Sequence, residues 1–141
     1  VVHPEPVHLE RIADRAVPVV VCPRSNLVTG VGIPPVRDLL DRTTVALGTD
    51  NVMLNGPDMF REMEFVAKLT DATAREVLRM ATAGGAEVAG REDGCIEPGR
   101  DARLVVLDGD SDNLSGTKNP VRAVVRRAGV ADVSRVVHGE E

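Results

Sequence analysis

Short apolar runs that alternate with segments of helical spacing constrain the fold of this chain more than any other feature. Residues 17–22 and 44–48 are nearly continuous apolar runs, which are typical of strands buried on both faces of a sheet. The segment before the first run places Leu9, Ile12 and Ala13 at helical spacing. Strands that alternate with helices of this length predict parallel βα units, and therefore an α/β fold.

Further helices are predicted from their start signals. Pro34 and Pro35 open a helix that runs through Leu40, because proline suits the first turn of a helix. Residues 58–69 carry apolar side chains on one face and predict a longer helix. Thr73 begins the capping-box pattern Thr-Ala-Arg-Glu, which predicts the start of another helix.

Two stretches are expected to interrupt this regular structure. Residues 23–26 follow the first strand and are predicted to form a polar break. Gly84 and Gly85 are expected to end the helix that begins after Thr73, because glycine weakens a helix interior. A short helix over residues 86–89 is expected beyond them.

The character of the chain changes near residue 90, where a turn-rich stretch begins. Residues 103–108 and 133–138 are predicted strands, whereas residues 120–125 are predicted to be a helix in preference to a strand. We therefore expect a βα portion over residues 1–90 and a small β-rich part over residues 91–141.

Charge and composition exclude several classes of partner. The net charge of −5 argues against a nucleic-acid partner, which needs a concentrated basic surface. The apolar runs are too short to cross a membrane, so we expect no membrane partner either. Cys22 and Cys95 lie far apart and form no Cys-x-x-Cys pattern, which favours free thiols in a cytoplasmic protein.

The two ends of the chain suggest that it belongs to a longer protein. It opens on Val1-Val2-His3-Pro4 without an initiating methionine, and it stops shortly after an apolar run. We expect the first two residues to be the tail of a strand.

Asp50 is the candidate functional residue that the strand pattern itself provides. It directly follows the second apolar run, and the residues after the carboxyl ends of parallel strands line the active sites of α/β barrels. A carboxylate at such a position can bind a metal and exchange a proton. The alternative is that Asp50 only stabilises a turn, since aspartate is common in loops.

Several short motifs resemble, in order and spacing, the C-terminal part of amidohydrolase-superfamily proteins. In chain order these are Cys22-Pro23-Arg24-Ser25-Asn26-Leu27, Gly32, Pro34-Pro35-Val36, Ala46-Leu47-Gly48-Thr49-Asp50, then Asn55, Asp58, Phe60, Glu62 and Met63, then residues 82–90, and finally Gly94-Cys95-Ile96-Glu97-Pro98-Gly99-Arg100-Asp101-Ala102. The resemblance covers essentially the whole chain. It is nearest to the aminohydrolase branch, which includes S-adenosylhomocysteine deaminases and N-ethylammeline chlorohydrolases.

This resemblance implies a C-terminal segment of a TIM-type (β/α)8 barrel, followed by part of a small β-rich domain. It implies that Asp50 follows the eighth barrel strand, binds a divalent metal, and exchanges a proton with the water that the metal activates. Zinc is the expected metal and iron the alternative. Ser25 and Asn26 would follow the seventh strand and, with Asn51, contact a small heterocyclic substrate. For Ser25 and Asn26, side-chain hydrogen bonds that stabilise a turn are an equal alternative.

His3 is the second candidate catalytic residue. The family carries a His-x-x-His pattern after its sixth barrel strand, and His3 aligns best with the downstream member of that pair. With one small insertion near Pro4, His3 would instead be the catalytic histidine. His8 and His138 are expected to be solvated. The histidines that the family places after its first and fifth strands have no counterpart here, so we predict that this chain is inactive alone.

The sequence therefore predicts a metal-dependent hydrolase of non-peptide C–N bonds, which deaminates a purine-like or triazine-like ring. The complete protein is expected to be a homo-oligomer. One alternative is a non-catalytic fragment or pseudoenzyme with a structural role, which would bind no metal tightly. Another is an independent α/β binding module in which Asp50 is incidental, and this alternative predicts a well-folded monomer with a complete sheet.

Overall fold

The computed structural model describes residues 1–139, and the first half of the chain alternates between helices and strands as predicted. No helix among these residues is both long and apolar enough to span a bilayer. In chain order the elements are α1 (Pro6–Asp14), β1 (Val19–Val21), α2 (Pro23–Val28), α3 (Val36–Leu40), β2 (Val45–Leu47), α4 (Met59–Leu69), α5 (Ala74–Ala81), α6 (Ala83–Val88), β3 (Leu104–Leu107), α7 (Pro120–Arg127), a 3-10 turn (Val130–Asp132) and β4 (Val133–Val137).

The strands β1 and β2 pair in parallel, with Val19 opposite Val45 and Val21 opposite Leu47. Helices α2 and α3 lie between the two strands in the chain and make the crossover that a parallel pair requires. The predicted α/β class is therefore confirmed. Because the strands are parallel, their carboxyl ends lie at the same edge of the sheet.

The two strands differ in burial. All three residues of β2 are buried, as predicted. In β1, Val19 and Val21 pack into the core, but Val20 points to the opposite face and is 42% exposed. Within residues 1–139, β1 pairs with β2 alone. The prediction that the first strand is buried on both faces is wrong for this chain, because little of the described chain covers the face that carries Val20.

The main core lies where α4, α5 and α7 pack against one another and where α4 and α5 meet β2. Each of the three helices contributes a valine with no exposed surface, and these are Val66, Val77 and Val125. The predicted helix over residues 120–125 is confirmed by α7. Its Val125 brings the 91–141 part of the chain into the same core as the βα units.

Side-chain caps fix the starts of α4 and α5. The Asp58 carboxylate accepts a hydrogen bond from the Arg61 N–H at 3.2 Å, so the helix begins one residue later than the pattern indicated. At α5, the Thr73 hydroxyl accepts from the Glu76 N–H at 3.3 Å, and the Glu76 carboxylate accepts from the Thr73 N–H at 2.8 Å. The predicted capping box is confirmed.

Residues 23–26 form the first turn of α2 instead of the predicted polar break. Pro23 occupies the first helical position, where its fixed φ is already suited to a helix. The next free N–H, that of Arg24, donates to the carboxylate of Glu62 on α4 at 3.4 Å. The prediction was wrong because this partner is distant in sequence, and a local pattern cannot reveal it.

Gly84 and Gly85 lie inside α6, although the sequence predicted that they would interrupt a helix. The interruption occurs instead at Thr82, where φ is −124° and ψ is −93°. Gly84 is buried against β2, and a Cβ at this position would lie 2.6 Å from the carbonyl oxygen of Val45. Glycine at position 84 therefore allows the close approach of α6 to β2, which explains why it is tolerated in a helix.

The predicted strands near the end of the chain are confirmed as the antiparallel pair β3 and β4. This pair is largely exposed; Val105 is 59% exposed and Val136 49%. The loop that precedes α7 is fastened by Asp132, which is buried and accepts hydrogen bonds from the Asn113 amide at 3.0 Å and the Gly129 N–H at 2.8 Å.

Candidate functional site

The carboxyl ends of β1 and β2 bring Ser25 and Asp50 into contact. Ser25 lies in α2, directly after β1, and Asp50 lies in the loop that follows β2. The Ser25 hydroxyl donates a hydrogen bond to Asp50 Oδ2 at 2.6 Å. Ser25 is 1% exposed, whereas Asp50 is exposed. A buried donor therefore holds one oxygen of a solvent-accessible carboxylate at the edge where two parallel strands end.

The backbone turns sharply at Asp50, whose φ of 57° lies in the left-handed region. Just before it, Gly48 packs so closely that a Cβ would lie 2.8 Å from Val20 Cγ1. Just after it, the Asn51 amide oxygen accepts the N–H of Met53 at 2.8 Å, which closes a short turn. These features together set the course of the loop that carries Asp50.

The first turn of α2 is held by side chains from two other segments. The Arg24 N–H donates to Glu62 Oε2, and the Arg24 guanidinium donates to the carbonyl oxygen of Gly56 at 3.3 Å. The side-chain amide of Asn55 satisfies both of its neighbours in one orientation. In that orientation its oxygen accepts the Ser25 N–H at 3.2 Å and its nitrogen donates to the Leu54 carbonyl oxygen at 3.3 Å. The N–H groups that open a helix therefore have partners here, which fixes the position of Ser25.

Glu62 is a buried carboxylate with 0% exposure. Burial raises the pKa of Glu62, and the N–H and guanidinium of Arg24 oppose that rise. Arg24 Nη1 lies 3.4 Å from Glu62 Oε1, which is a contact between opposite charges without hydrogen-bond geometry. The pair therefore compensates part of the cost of burying the charge.

Cys22 lies beside this network, at the end of β1. Burial raises the pKa of the Cys22 thiol, and the negative charges of Asp50 and Glu62 raise it further. A thiol that stays protonated at neutral pH is a poor nucleophile. Both cysteines are free, as predicted.

The other predicted site residues take no part in the Ser25–Asp50 hydrogen bond. His3 Nε2 makes a 2.6 Å hydrogen bond with the carbonyl oxygen of Val31, and within residues 1–139 no hydrogen bond or ion pair joins His3 to Asp50. Asn26 is half-buried, and its carbonyl oxygen accepts the N–H of Val31 at 3.0 Å. His8 and His138 are exposed.

Asp50 suits a metal ligand, but the described part of the chain does not complete a metal site around it. Its carboxylate is exposed, Ser25 occupies Oδ2, and within the described chain Oδ1 accepts no hydrogen bond. Among residues 1–139 no three His, Cys, Asp or Glu side chains are grouped so that they could bind an ion. A catalytic zinc normally has three protein ligands, so Asp50 fits one ligand position of such a site.

Two cavities lie apart from Asp50. One of about 630 Å³ lies between β3, residues 91–96 and helices α4, α5 and α6, and its lining is mainly apolar. Another, of about 400 Å³, includes His3 and Ile12. Neither contains Asp50, Ser25, Asn26 or Asn51.

Arg24 and Glu62 are the residues whose place beside the site was not anticipated. Both belong to motifs quoted above, yet neither was assigned a role. One signal was available for Glu62, because it shares the apolar face of α4 with Met63 and Val66. A charged residue on a helix face that packs into the core is unusual unless it is paired.

Sequence similarity identifies the family. The family model described as "Amidohydrolase family" matches residues 1–137. The chain is 42% identical to a 5-methylthioadenosine/S-adenosylhomocysteine deaminase of Syntrophobacter fumaroxidans, over 93% of this chain and 33% of the relative. It is 38% identical to a protein of the same name from Haloquadratum walsbyi, over 96% of this chain and 33% of the relative.

Solved structures show the same fold. An adenosine deaminase from Xanthomonas campestris with bound zinc superimposes with a TM-score of 0.92 at 31% identity, over 97% of this chain and 34% of that one. Atrazine chlorohydrolase from Arthrobacter aurescens, complexed with zinc, gives a TM-score of 0.85 at 29% identity, over 96% and 33%. The chain spans about a third of the length of the curated relatives it matches. It belongs to the amidohydrolase family.

Proposed function

We propose that this chain is the C-terminal part of a metal-dependent hydrolase that deaminates a heterocyclic ring. The observation that carries the proposal is the Ser25–Asp50 contact, which fixes an exposed carboxylate at the carboxyl ends of two parallel strands. Active sites of parallel α/β barrels lie at that edge. Relatives named as deaminases support the reaction type.

In this proposal β1 and β2 are the last two strands of a TIM-type (β/α)8 barrel. Residues 1–90 supply the barrel units, and residues 91–141 supply part of a small β-rich domain. The exposed face of β1 supports this arrangement, because Val20 would be covered by the remaining strands. The other ligands of the metal would come from those strands, so residues 1–141 alone are inactive.

Asp50 would hold the metal, for which zinc is the first choice and iron the second. The zinc-containing structures that share this fold support zinc. Bound zinc lowers the pKa of water towards neutrality and so makes hydroxide available at pH 7. The part of Asp50 is to present Oδ1, since Ser25 holds Oδ2, and to take up and return a proton at its carboxylate.

The substrate would be a small purine-like or triazine-like molecule. Asn26 and Asn51 lie next to the Ser25–Asp50 contact in sequence and are proposed to face it; His3 is proposed to approach it in the complete barrel. We place the protein in the cytoplasm and expect the complete form to be a homo-oligomer, with no nucleic-acid or membrane partner.

The test is ammonia release by the protein expressed from its complete coding sequence. 5′-Methylthioadenosine, S-adenosylhomocysteine and a chlorotriazine would be offered as substrates, before and after removal of metal with a chelator. The proposal expects ammonia or chloride release that disappears with the metal and returns with zinc. A protein that binds no zinc and consumes none of these substrates would instead support the non-catalytic alternative.

A further inference from the structure

We propose that Glu62 is a positioning residue for Asp50, which it controls through Arg24 and Ser25 on α2. The inference rests on the proposed function, because it treats Asp50 as the residue that acts. Glu62 itself contacts neither Asp50 nor the exposed edge of the site. Its carboxylate is instead buried beneath the first turn of α2.

Burial of Glu62 is difficult to explain by stability alone. A carboxylate with no exposed surface is costly even when it is paired, and an apolar side chain of similar volume at such a position is often as stable or more stable. Its neighbours on the same face, Met63 and Val66, are apolar and buried. A charged group is therefore retained where packing alone would favour Leu or Met.

What Glu62 provides is an anchor for a very short helix. Helix α2 has six residues, and helices of that length are not stable on their own. Glu62 accepts the N–H of Arg24, and the next N–H, that of Ser25, is accepted by Asn55. The adjacent hydroxyl of Ser25 is the group that holds Asp50 Oδ2 at 2.6 Å.

Arg24 extends the same network to the loop that carries Asp50. Its guanidinium contacts Glu62 on α4 at 3.4 Å and donates to the carbonyl oxygen of Gly56 at 3.3 Å. The Asp50 loop is thus tied to α2 at three points: the Ser25 hydroxyl bonds to Asp50, the Ser25 N–H bonds to Asn55, and the Arg24 guanidinium bonds to Gly56. Loss of the Glu62 charge releases Arg24, and the Ser25 hydroxyl moves relative to Asp50.

The experiment is a double-mutant cycle in the protein expressed from its complete coding sequence. The variants are Glu62→Met, Ser25→Ala and the two together. Each single change is expected to lower kcat by ~10–100-fold and to shorten the half-time of zinc loss to a chelator by a similar factor, with KM changed much less. The double variant should lose no more than the worse single variant, because both changes break the same connection.

Two further variants keep the test decisive. Glu62→Gln retains an oxygen that can accept the Arg24 N–H, so its kcat and its zinc retention should be reduced less than those of Glu62→Met. It also replaces Glu62→Met in the cycle if that variant does not fold. Glu76→Gln is the matched control. It weakens the ion pair in which Arg37 Nη2 lies 2.8 Å from Glu76 Oε1, a pair that links α3 to α5 and does not involve Asp50. This variant should leave kcat and the rate of zinc loss within about twofold of the values for the unmodified protein.

The outcomes separate this inference from the proposed function. If the unmodified protein binds zinc and is active, but the losses of the two single variants multiply in the double variant, then Glu62 has only a structural role and the inference is wrong. Unchanged zinc retention in Glu62→Met would contradict it equally. If the unmodified protein binds no zinc and shows no activity, the proposed function fails and this inference fails with it.

Discussion

The hydroxyl of Ser25 and the carboxylate of Asp50 are joined by a 2.6 Å hydrogen bond that connects the segments following β1 and β2. Hydrogen bonds to an ionised group are stronger than those between neutral groups, so this contact defines how the carboxylate is presented. Only Oδ1 is left without a protein donor in the described chain. The geometry thus offers a single oxygen at the exposed edge of the sheet.

Replacement of Asp50 by Asn should strongly reduce turnover by the protein expressed from its complete coding sequence. Asparagine can still bond to Ser25, but it cannot take up the proton that the reaction releases. We expect kcat to fall by ~10²–10⁴-fold, in steady-state assays of ammonia release. Asp14→Asn, at the exposed end of α1, is the matched control and should retain activity. Near-normal turnover by the Asp50 variant would contradict its assigned role.

Local patterns predicted the elements whose determinants lie close together in sequence. The capping box of Thr73 and Glu76 and the burial of β2 needed only neighbouring residues. Helix α2 was missed because its first turn depends on Glu62, a partner from a later helix. The exposure of Val20 was missed because a continuous apolar run predicts a strand that is covered on both faces. In the described chain, little covers the face of β1 that carries Val20.

The same distinction applies to the candidate site. Asp50 could be singled out as a candidate from its position after a strand and from the motifs around it. The contacts that hold its carboxylate in place could not be predicted, because the hydrogen bond from Ser25 and the burial of Glu62 depend on how α2 packs against α4. The roles of Asp50, His3, Ser25, Asn26 and Asn51 remain predictions.

Two adjacent glycines in α6 should respond in opposite ways to alanine. A Cβ at Gly84 would lie 2.6 Å from the Val45 carbonyl oxygen, so Gly84→Ala should push α6 away from β2 and lower the free energy of unfolding by ~1–3 kcal/mol. The nearest atom to a Cβ at Gly85 is 4.0 Å away, and alanine favours a helix, so Gly85→Ala should raise stability by up to ~1 kcal/mol. Urea denaturation measures both. Equal effects at the two positions would show that α6 does not pack as described.

The ion pair of Arg37 and Glu76 should make stability depend on acidic pH. The hydrogen bond from Arg37 and those from Thr73 lower the pKa of Glu76 from 4.5 to about 2. A carboxyl whose pKa is lowered by folding stabilises the folded state above its unfolded pKa, and this contribution disappears as pH falls from 4.5 towards 2. Glu76→Gln keeps the cap but weakens the pair.

Melting temperatures of Glu76→Gln and the unmodified protein should therefore differ near pH 7 and converge as pH falls below 4.5. The difference should be small, because the Glu76 side chain is 33% exposed and solvent screens the pair. Glu10→Gln, in the exposed part of α1, is the control and should show no such convergence. A difference that grows with acidity would contradict the assigned pKa direction.

Residues 1–141 expressed alone should self-associate. Val17 is 45% exposed and Val20 42%, and in the described chain β1 has a hydrogen-bonded neighbour on one side only. Open strand edges and exposed apolar side chains favour association. Sedimentation should show species larger than a monomer, whereas the protein from the complete coding sequence should give one defined assembly. A clean monomer that unfolds cooperatively would favour the independent binding module.

The most direct test of the central claim is to locate zinc by anomalous X-ray diffraction in crystals of the protein expressed from its complete coding sequence. Data collected on either side of the zinc absorption edge reveal the ion without reference to any assay. The account predicts an anomalous peak ~2.0–2.2 Å from a carboxylate oxygen of Asp50, with Ser25 still bound to the other oxygen. Zinc bound elsewhere, or an Asp50 carboxylate directed away from the ion, would contradict it.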